Sequence, residues 1–446
     1  MTRRKKIFVI GGISFLALLL ALAIAIPILI DVDRYRPEIA AYIQEQTGKP
    51  AAIGRLSLTL FPTLSIRVDE FALGNPEGFP EGHFVTARRI YAELDRGALW
   101  DRRIVIQSLE INDPVITLLS NARGKWNFQN PPRNQANASA RRARGPQTAP
   151  AAPAFTLGVI SRVSITGGQV TAAKLVSATR AAPSYFEARA LASELTQVNL
   201  NAFRGTQAVA LSPGREQGIG NREQRRNVPW IIPASAQQTP PGTNASESTP
   251  AASGTLAADL LRFGSFEVTS VKTRVRLFPR EVFLDDLNLG LYKGQAAGGL
   301  SFDFSRANPA YNAALRMRGV DVASLLDSFP DARGKMTGTM EGSIKLAGVV
   351  TNSPDPLAGA NGTGQLNIRD GKLPSLNLNR NLMRLARLTQ LGPAEGDPSS
   401  FSSISADLNL ADQRITTQQL TVVGNGVDIT AAGSLALAGA GSLNYE

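Results

Sequence analysis

Apolar and polar positions alternate in short runs along the chain, and one form of the alternation recurs. LEINDPVI at residues 109–116, VSITGGQV at 163–170 and LNIRDGKL at 366–373 each place two apolar residues two apart: Leu109 and Ile111, Val163 and Ile165, Leu366 and Ile368. A polar residue, a turn pair and a return to apolar residues follow in every copy. Period-two alternation predicts a strand with one buried face, and Asp-Pro, Gly-Gly and Asp-Gly supply turn geometry. The module is therefore a strand, a tight reversal or bulge, and another strand.

The same alternation predicts strands at 56–60, 65–71 and 104–119, in a region that ends near GKWNF at 124–128. A few strands fall within 155–204. From 256 to 446 they crowd together, as in FEVTSVKTRVRLF, EVFLDDLNLGLYKG, GLSFDFS, EGSIKLAGVV, SISADLNLA and ITTQQLTVVGNGVDITAAGSLALAG. Short helices interrupt the series. DVDRYRPEIAAYIQEQTGK at 31–49 has Pro37 in a first turn, Ile39, Tyr42, Ile43 and Gln46 on one face, and Gly48 to end it. DVASLLDSF takes Asp321 as N-cap and turns Val322, Leu325, Leu326 and Phe329 inward. NRNLMRLARLTQLGP buries Leu382, Leu385 and Leu388 and stops at Gly392-Pro393. Two stretches, 129–154 and 205–255, are rich in Pro, Ala, Asn, Gln and Ser and have little to bury, so both read as long disordered segments.

Strands joined by tight turns are neighbours, so the expected fold is mainly β, an antiparallel meander with one apolar face. About 16 strands at roughly 4.8 Å each would extend about 75 Å, and an open twisted sheet of that size must curl. The apolar face either packs on a second sheet or lines an elongated groove, and periodicity fits both. The candidate groove lining is Ile66, Val68, Val268, Leu287, Leu289, Phe302, Leu366, Ile368, Leu408 and Val422.

The N-terminus changes the picture. Residues 7–30, IFVIGGISFLALLLALAIAIPILI, contain no charged side chain. At 1.5 Å per residue they reach about 36 Å as a helix, enough to cross a hydrocarbon core of about 30 Å. The stretch is too long for the apolar region of a cleavable signal. Arg3, Arg4, Lys5 and Lys6 precede it and set the topology, with a cytoplasmic tail at 1–6 and the bulk of the chain outside the plasma membrane, in the periplasm of a two-membrane cell.

Composition then removes whole classes of chemistry. The chain has no Cys and one His, so disulfides, thiolate zinc sites, cysteine nucleophiles and two-histidine metal motifs are excluded. His83 has no nucleophile elbow to serve, GANGTG at 359–364 lacks a P-loop ending and reads as a turn, and Asp285 and Asp286 point to opposite faces of a strand. No enzyme and no cofactor are expected. Of the net charge of +11, Arg3, Arg4, Lys5 and Lys6 carry four and Arg133, Arg141, Arg142 and Arg144 four more, leaving +3 elsewhere. No basic face interleaved with aromatics follows, which argues against nucleic acid.

The N-terminal 128 residues, with a basic start, an apolar anchor, DVDRYRPEIAAYIQEQTGKPAAIGRLSLTLFPTLSIRVDEFALGNPEGF and TARRIYAELDRGALWDRRIVIQSLEINDPVITLLSNARGKWNF, resemble the AsmA family of inner-membrane-anchored periplasmic proteins. LRMRGVDVASLLDSFPDARGKMTGTMEGSIKLAGVV and GTGQLNIRDGKLPSLNLNRNLMRLARL resemble the family's C-terminal region. The resemblance implies a curved β-groove related to bridge-like lipid-transfer proteins, with a role in outer-membrane biogenesis or phospholipid transport. It implies phospholipid or another lipid as the partner, beside the inner membrane itself, and offers no catalytic residues to carry over. A second expectation, of a different class, is a non-enzymatic scaffold or chaperone-like factor that engages outer-membrane proteins or another periplasmic component by strand addition.

Overall fold

The computed structural model describes residues 32–100, 105–122, 124–129, 159–177, 180–204, 249–306, 308–350, 359–374, 399–424, 428–436 and 443–445. The basic cluster at 3–6, the anchor at 7–30, nearly all of the 129–154 segment, residues 205–248 and the helix expected at 379–393 lie outside them. Among the described residues no helix is long and apolar enough to cross a membrane.

The described strands form one curved sheet of 18. It opens with an antiparallel meander of β1 (Ala51–Thr59), β2 (Ser65–Gly74) and β3 (His83–Leu94). β4 (Ile106–Asn112) and β5 (Val115–Ser120) lie end to end against β3, as one strand broken at Asp113-Pro114. β6 (Val159–Lys174) runs parallel to both, and β7 (Phe186–Asn199) returns antiparallel to it. The rest is a meander of β8 (Ala252–Phe263), β9 (Phe266–Leu277), β10 (Glu281–Leu291), β11 (Gly294–Asp303), β12 (Ala310–Asp321) and β13 (Thr337–Val349). It continues through β14 (Ala360–Lys372), β15 (Ser400–Ala411), β16 (Arg414–Gly424), β17 (Asp428–Ala436) and β18 (Leu443–Tyr445).

The parallel step corrects the expectation of a wholly antiparallel sheet. A parallel neighbour needs a crossover, and the connection through residues 121–158 is long enough to provide one. Its consequence is that the first two copies of the repeated module lie side by side, with Leu109 opposite Val163 and Ile111 opposite Ile165.

None of the three turn pairs reverses the chain. Each is a bend within a continuing strand: Asp113 and Gly167 have φ of 49° and 67°, and Asp370 in β14 has 52°. The ladder survives the bend, because Asp113 N donates to Thr166 O at 2.8 Å and Gln169 N donates to Pro114 O at 2.7 Å. A residue held at positive φ in this way bends its strand and increases the local twist. The repeated motif therefore encodes curvature. Hairpin reversals occur elsewhere, as at Tyr292-Lys293 and Asp412-Gln413, where both central residues have positive φ as two-residue hairpins require.

Among the described residues four short helices decorate the sheet: α1 (Arg36–Thr47), α2 (Arg96–Trp100), α3 (Leu200–Arg204) and α4 (Val322–Asp327). In α1, Pro37 lies in the first turn and Gly48 closes the end at φ 67°, but Ile39 and Tyr42 are exposed instead of forming a buried face. What holds this end is polar. Leu56 N, on the outer edge of β1, donates to Asp33 Oδ1 at 2.8 Å, and Arg36 Nη1 donates to Gly54 O at 2.7 Å. Asp33 and Arg36 are themselves ion-paired at 2.6 Å, so together they imitate a neighbouring strand.

Asp321 caps α4 by accepting from Ser324 N at 2.8 Å. Val322 is buried and Leu325 and Leu326 pack on the main apolar cluster, whereas Phe329 is exposed rather than inward. β8 begins at Ala252, inside the stretch read as low complexity, and GANGTG opens β14, with only Gly359 left in the turn.

Candidate functional site

Residues directly opposite one another in a ladder share a face, so the pairing register can be followed across the sheet. One row begins Leu58, Ile66, Ala92, Leu109, Val163 and Leu195. It continues through Gly254, Val275, Leu284, Leu300 and Ala313. It ends Leu346, Gly362, Leu410, Ile415, Leu435 and Leu443. Every strand except β5 contributes one residue, and every residue is apolar or glycine. At roughly 4.8 Å per strand this stripe is about 75 Å long.

Between β10 and β15 the apolar face widens. Leu287, Gly298, Leu315, Ile344, Gly364 and Leu408 form the adjoining row, followed by Leu289, Ala296, Met317, Gly342, Leu366 and Ala406. Strand alternation puts the intervening residues on the other face, and they are polar: Ser57, Arg67, Tyr91, Glu110, Ser164 and Glu194 in one register row, Lys345, Thr363, Asn409 and Thr416 in another.

Burial distinguishes a trough from a filled core. A second sheet packed on the stripe would bury nearly all of it. Only Val275 and Leu410 in the stripe are buried, each 7 % exposed, and the others whose side chains are described remain partly exposed. The described strands form one sheet, so no second sheet of described strands covers this face. Cover is local. α4 packs through Val322, Leu325 and Leu326 on a cluster that includes Val271, Leu287, Met340 and Ile404, and Leu200 of α3 packs on Ile160, Val198 and Ala252.

The ten residues expected to line the groove divide accordingly. Ile66 lies on the stripe itself, and Val68, Leu289, Phe302, Leu366, Leu408 and Val422 are partly exposed. Val268, Leu287 and Ile368 are buried in the α4 cluster, where the helix and neighbouring strands close them off from an open trough. Ile66 is the one expected lining residue on the stripe; its other members, including Leu284, Leu300 and Leu346, are absent from that set. Alternation marks each as an inward residue, but only the register shows that they align.

A recess of about 1700 Å³ lies on β9–β16, lined mostly by polar-face residues, with Leu289, Leu315, Ile344 and Leu408 of the apolar rows also contributing to its wall. The register row from Lys272 through Asn288, Arg316, Ser343 and Gln365 to Asp407 lines it. Lys345 and Arg318 lie one step to either side of that row. His83 opens β3 as an exposed residue. Asp285 and Asp286 are held in ion pairs with Arg276 and Arg274, a structural role for both. Among the described residues no cluster of His, Asp and Glu is placed to hold a metal ion.

The sequence profile of the AsmA family matches residues 1–181 and 248–420, most of the chain. No curated protein and no solved structure matches it. The matched segments include the capped edge at β1, the parallel step and the widened apolar face, and the chain belongs to the AsmA family.

Proposed function

We propose that this protein handles lipid in the trough formed by its apolar face, anchored in the inner membrane by residues 7–30 with the sheet in the periplasm, and so contributes to outer-membrane biogenesis or phospholipid transport. The observation that carries this reading is the continuous stripe from Leu58 to Leu443, apolar or glycine in every strand it crosses and mostly left partly exposed. A monomer rarely leaves an apolar surface of that extent to water. Removing an acyl chain from water gains about 0.8 kcal/mol per CH₂, so a tail laid along the stripe is held without any reacting group. Its headgroup stays at the rim, in water.

Family membership supports the broad role, and the trough supports lipid as the cargo. The alternative of strand addition has one edge less to use, because Asp33 and Arg36 occupy the outer edge of β1.

The test is lipid mass spectrometry of the full chain purified in mild detergent, beside a variant carrying Leu284→Asp and Leu346→Asp. Two carboxylates in the trough disfavour an acyl chain, and retained phospholipid should fall more than about tenfold. Equal lipid in both proteins would assign it to the shell around the anchor and contradict the proposal. Crosslinks to β-barrel precursors, with no lipid retained, would favour the scaffold.

A further inference from the structure

The polar face offers a second site. The recess on β9–β16 is lined by Lys272, Arg316, Arg318 and Lys345 against a single carboxylate, Asp407. Several exposed cations elsewhere on the sheet are neutralised locally, as in Arg274 with Asp286, Arg276 with Asp285, Arg262 with Glu267 and Arg162 with Glu194. Among the described residues, Lys272, Arg318 and Lys345 have no such partner. Three of the four cations lining the recess are thus without an ion-pair partner among the described residues.

We propose that this recess binds an anionic saccharide. The cations are distributed from β9 to β13, four strand spacings or about 19 Å, too far apart for one phosphate and suited to an extended ligand with several charges. Asn288 stands between them, and Ser343 and Gln365 continue the row through β13 and β14; all three can both donate to and accept from hydroxyl groups. No aromatic side chain lines the recess among the described residues, so nothing there stacks on a nucleobase. An acidic peptide fits less well: extended peptides bind sheet edges through backbone hydrogen bonds, and the strands from β9 to β16 are already paired on both sides. Its charged side chains lie in register rows that alternate with the apolar ones, on the other face of the sheet, so the site stands whether or not the trough carries lipid.

The test measures binding of oligogalacturonate, a carboxylated saccharide, to the full chain in detergent at low salt. Maltoheptaose serves as the neutral saccharide and polyglutamate as the anionic peptide. The triple variant K272Q/R318Q/K345Q should keep its circular dichroism spectrum and bind oligogalacturonate about tenfold more weakly, as expected for three exposed charge contacts. The variant R3Q/R4Q/K5Q, which removes the same charge at the N-terminus, should bind as the parent does. Polyglutamate should compete poorly and maltoheptaose should not bind. Equal loss in both triple variants, competition by polyglutamate as strong as by the saccharide itself, or no binding of oligogalacturonate would each overturn the proposal.

Discussion

Gly254 of β8 lies opposite Leu195 of β7 in the apolar stripe, so close that a Cβ on Gly254 would stand 2.8 Å from Leu195 Cα and closer still to the Glu194 carbonyl oxygen. Glycine interrupts the aliphatic row here because the neighbouring backbone occupies the space. Gly254→Ala should therefore destabilise the protein by about 2 kcal/mol, the cost of overpacking. Gly299→Ala, where the nearest atom is Leu284 O at 3.5 Å, should stay within about 0.5 kcal/mol of the parent. Denaturant unfolding followed by circular dichroism checks both, and equal effects would show that the β7–β8 approach does not require glycine.

The Asp33–Arg36 pair predicts a different behaviour. Open strand edges recruit other strands, and these two side chains occupy the hydrogen-bonding positions of Gly54 and Leu56. Replacing both with Ala should raise hydrogen exchange at the Leu56 amide at least about tenfold, as expected for losing a charge-assisted bond. The variant should also self-associate in sedimentation measurements. Unchanged exchange at Leu56 would mean that the carboxylate does not seal the edge.

The cap of α4 makes stability depend on pH. Hydrogen bonds from Ser324 to the Asp321 carboxylate, reinforced by Lys293 at 3.5 Å, hold its pKa below the usual value. A carboxyl whose folded pKa is depressed stabilises the fold fully above its unfolded pKa, about 3.9, and loses that contribution as pH falls through the folded value. Unfolding midpoints should therefore decline below about pH 4, and Asp321→Asn, which keeps a capping oxygen without the charge, should flatten the decline. Asp321→Ala should cost about 1 kcal/mol at neutral pH. An identical pH profile in the Asn variant would remove Asp321 as the cause.

Much of the sheet is legible in the sequence because period-two alternation survives in every long strand. Strands β9, β10 and β13 to β17, the Asp321 cap and the Gly48 stop all follow from local pattern. Three features do not. The parallel pairing of Leu109 with Val163 joins segments separated by a stretch with no pattern, and no local signal specifies it. β12 carries the alternation in ALRMRGV, but the run is short, following Pro309 and interrupted by Gly319 at φ 66°. The basic recess is lost when charge is summed by segment, since Lys272, Arg316 and Lys345 come from three strands that only the register brings onto one face. For the same reason alternation picks out one-faced apolar residues while leaving open whether they line a trough or fill a core.

The most direct measurement places a photoreactive benzoylphenylalanine at Leu300, on the stripe, or at Asn312, on the other face one strand away, and irradiates cells expressing the full chain. Purified protein is then examined by mass spectrometry for covalently attached lipid. A trough that carries acyl chains predicts phospholipid adducts at position 300 and none at 312. Adducts at both positions, or at neither while the protein remains folded, would contradict it.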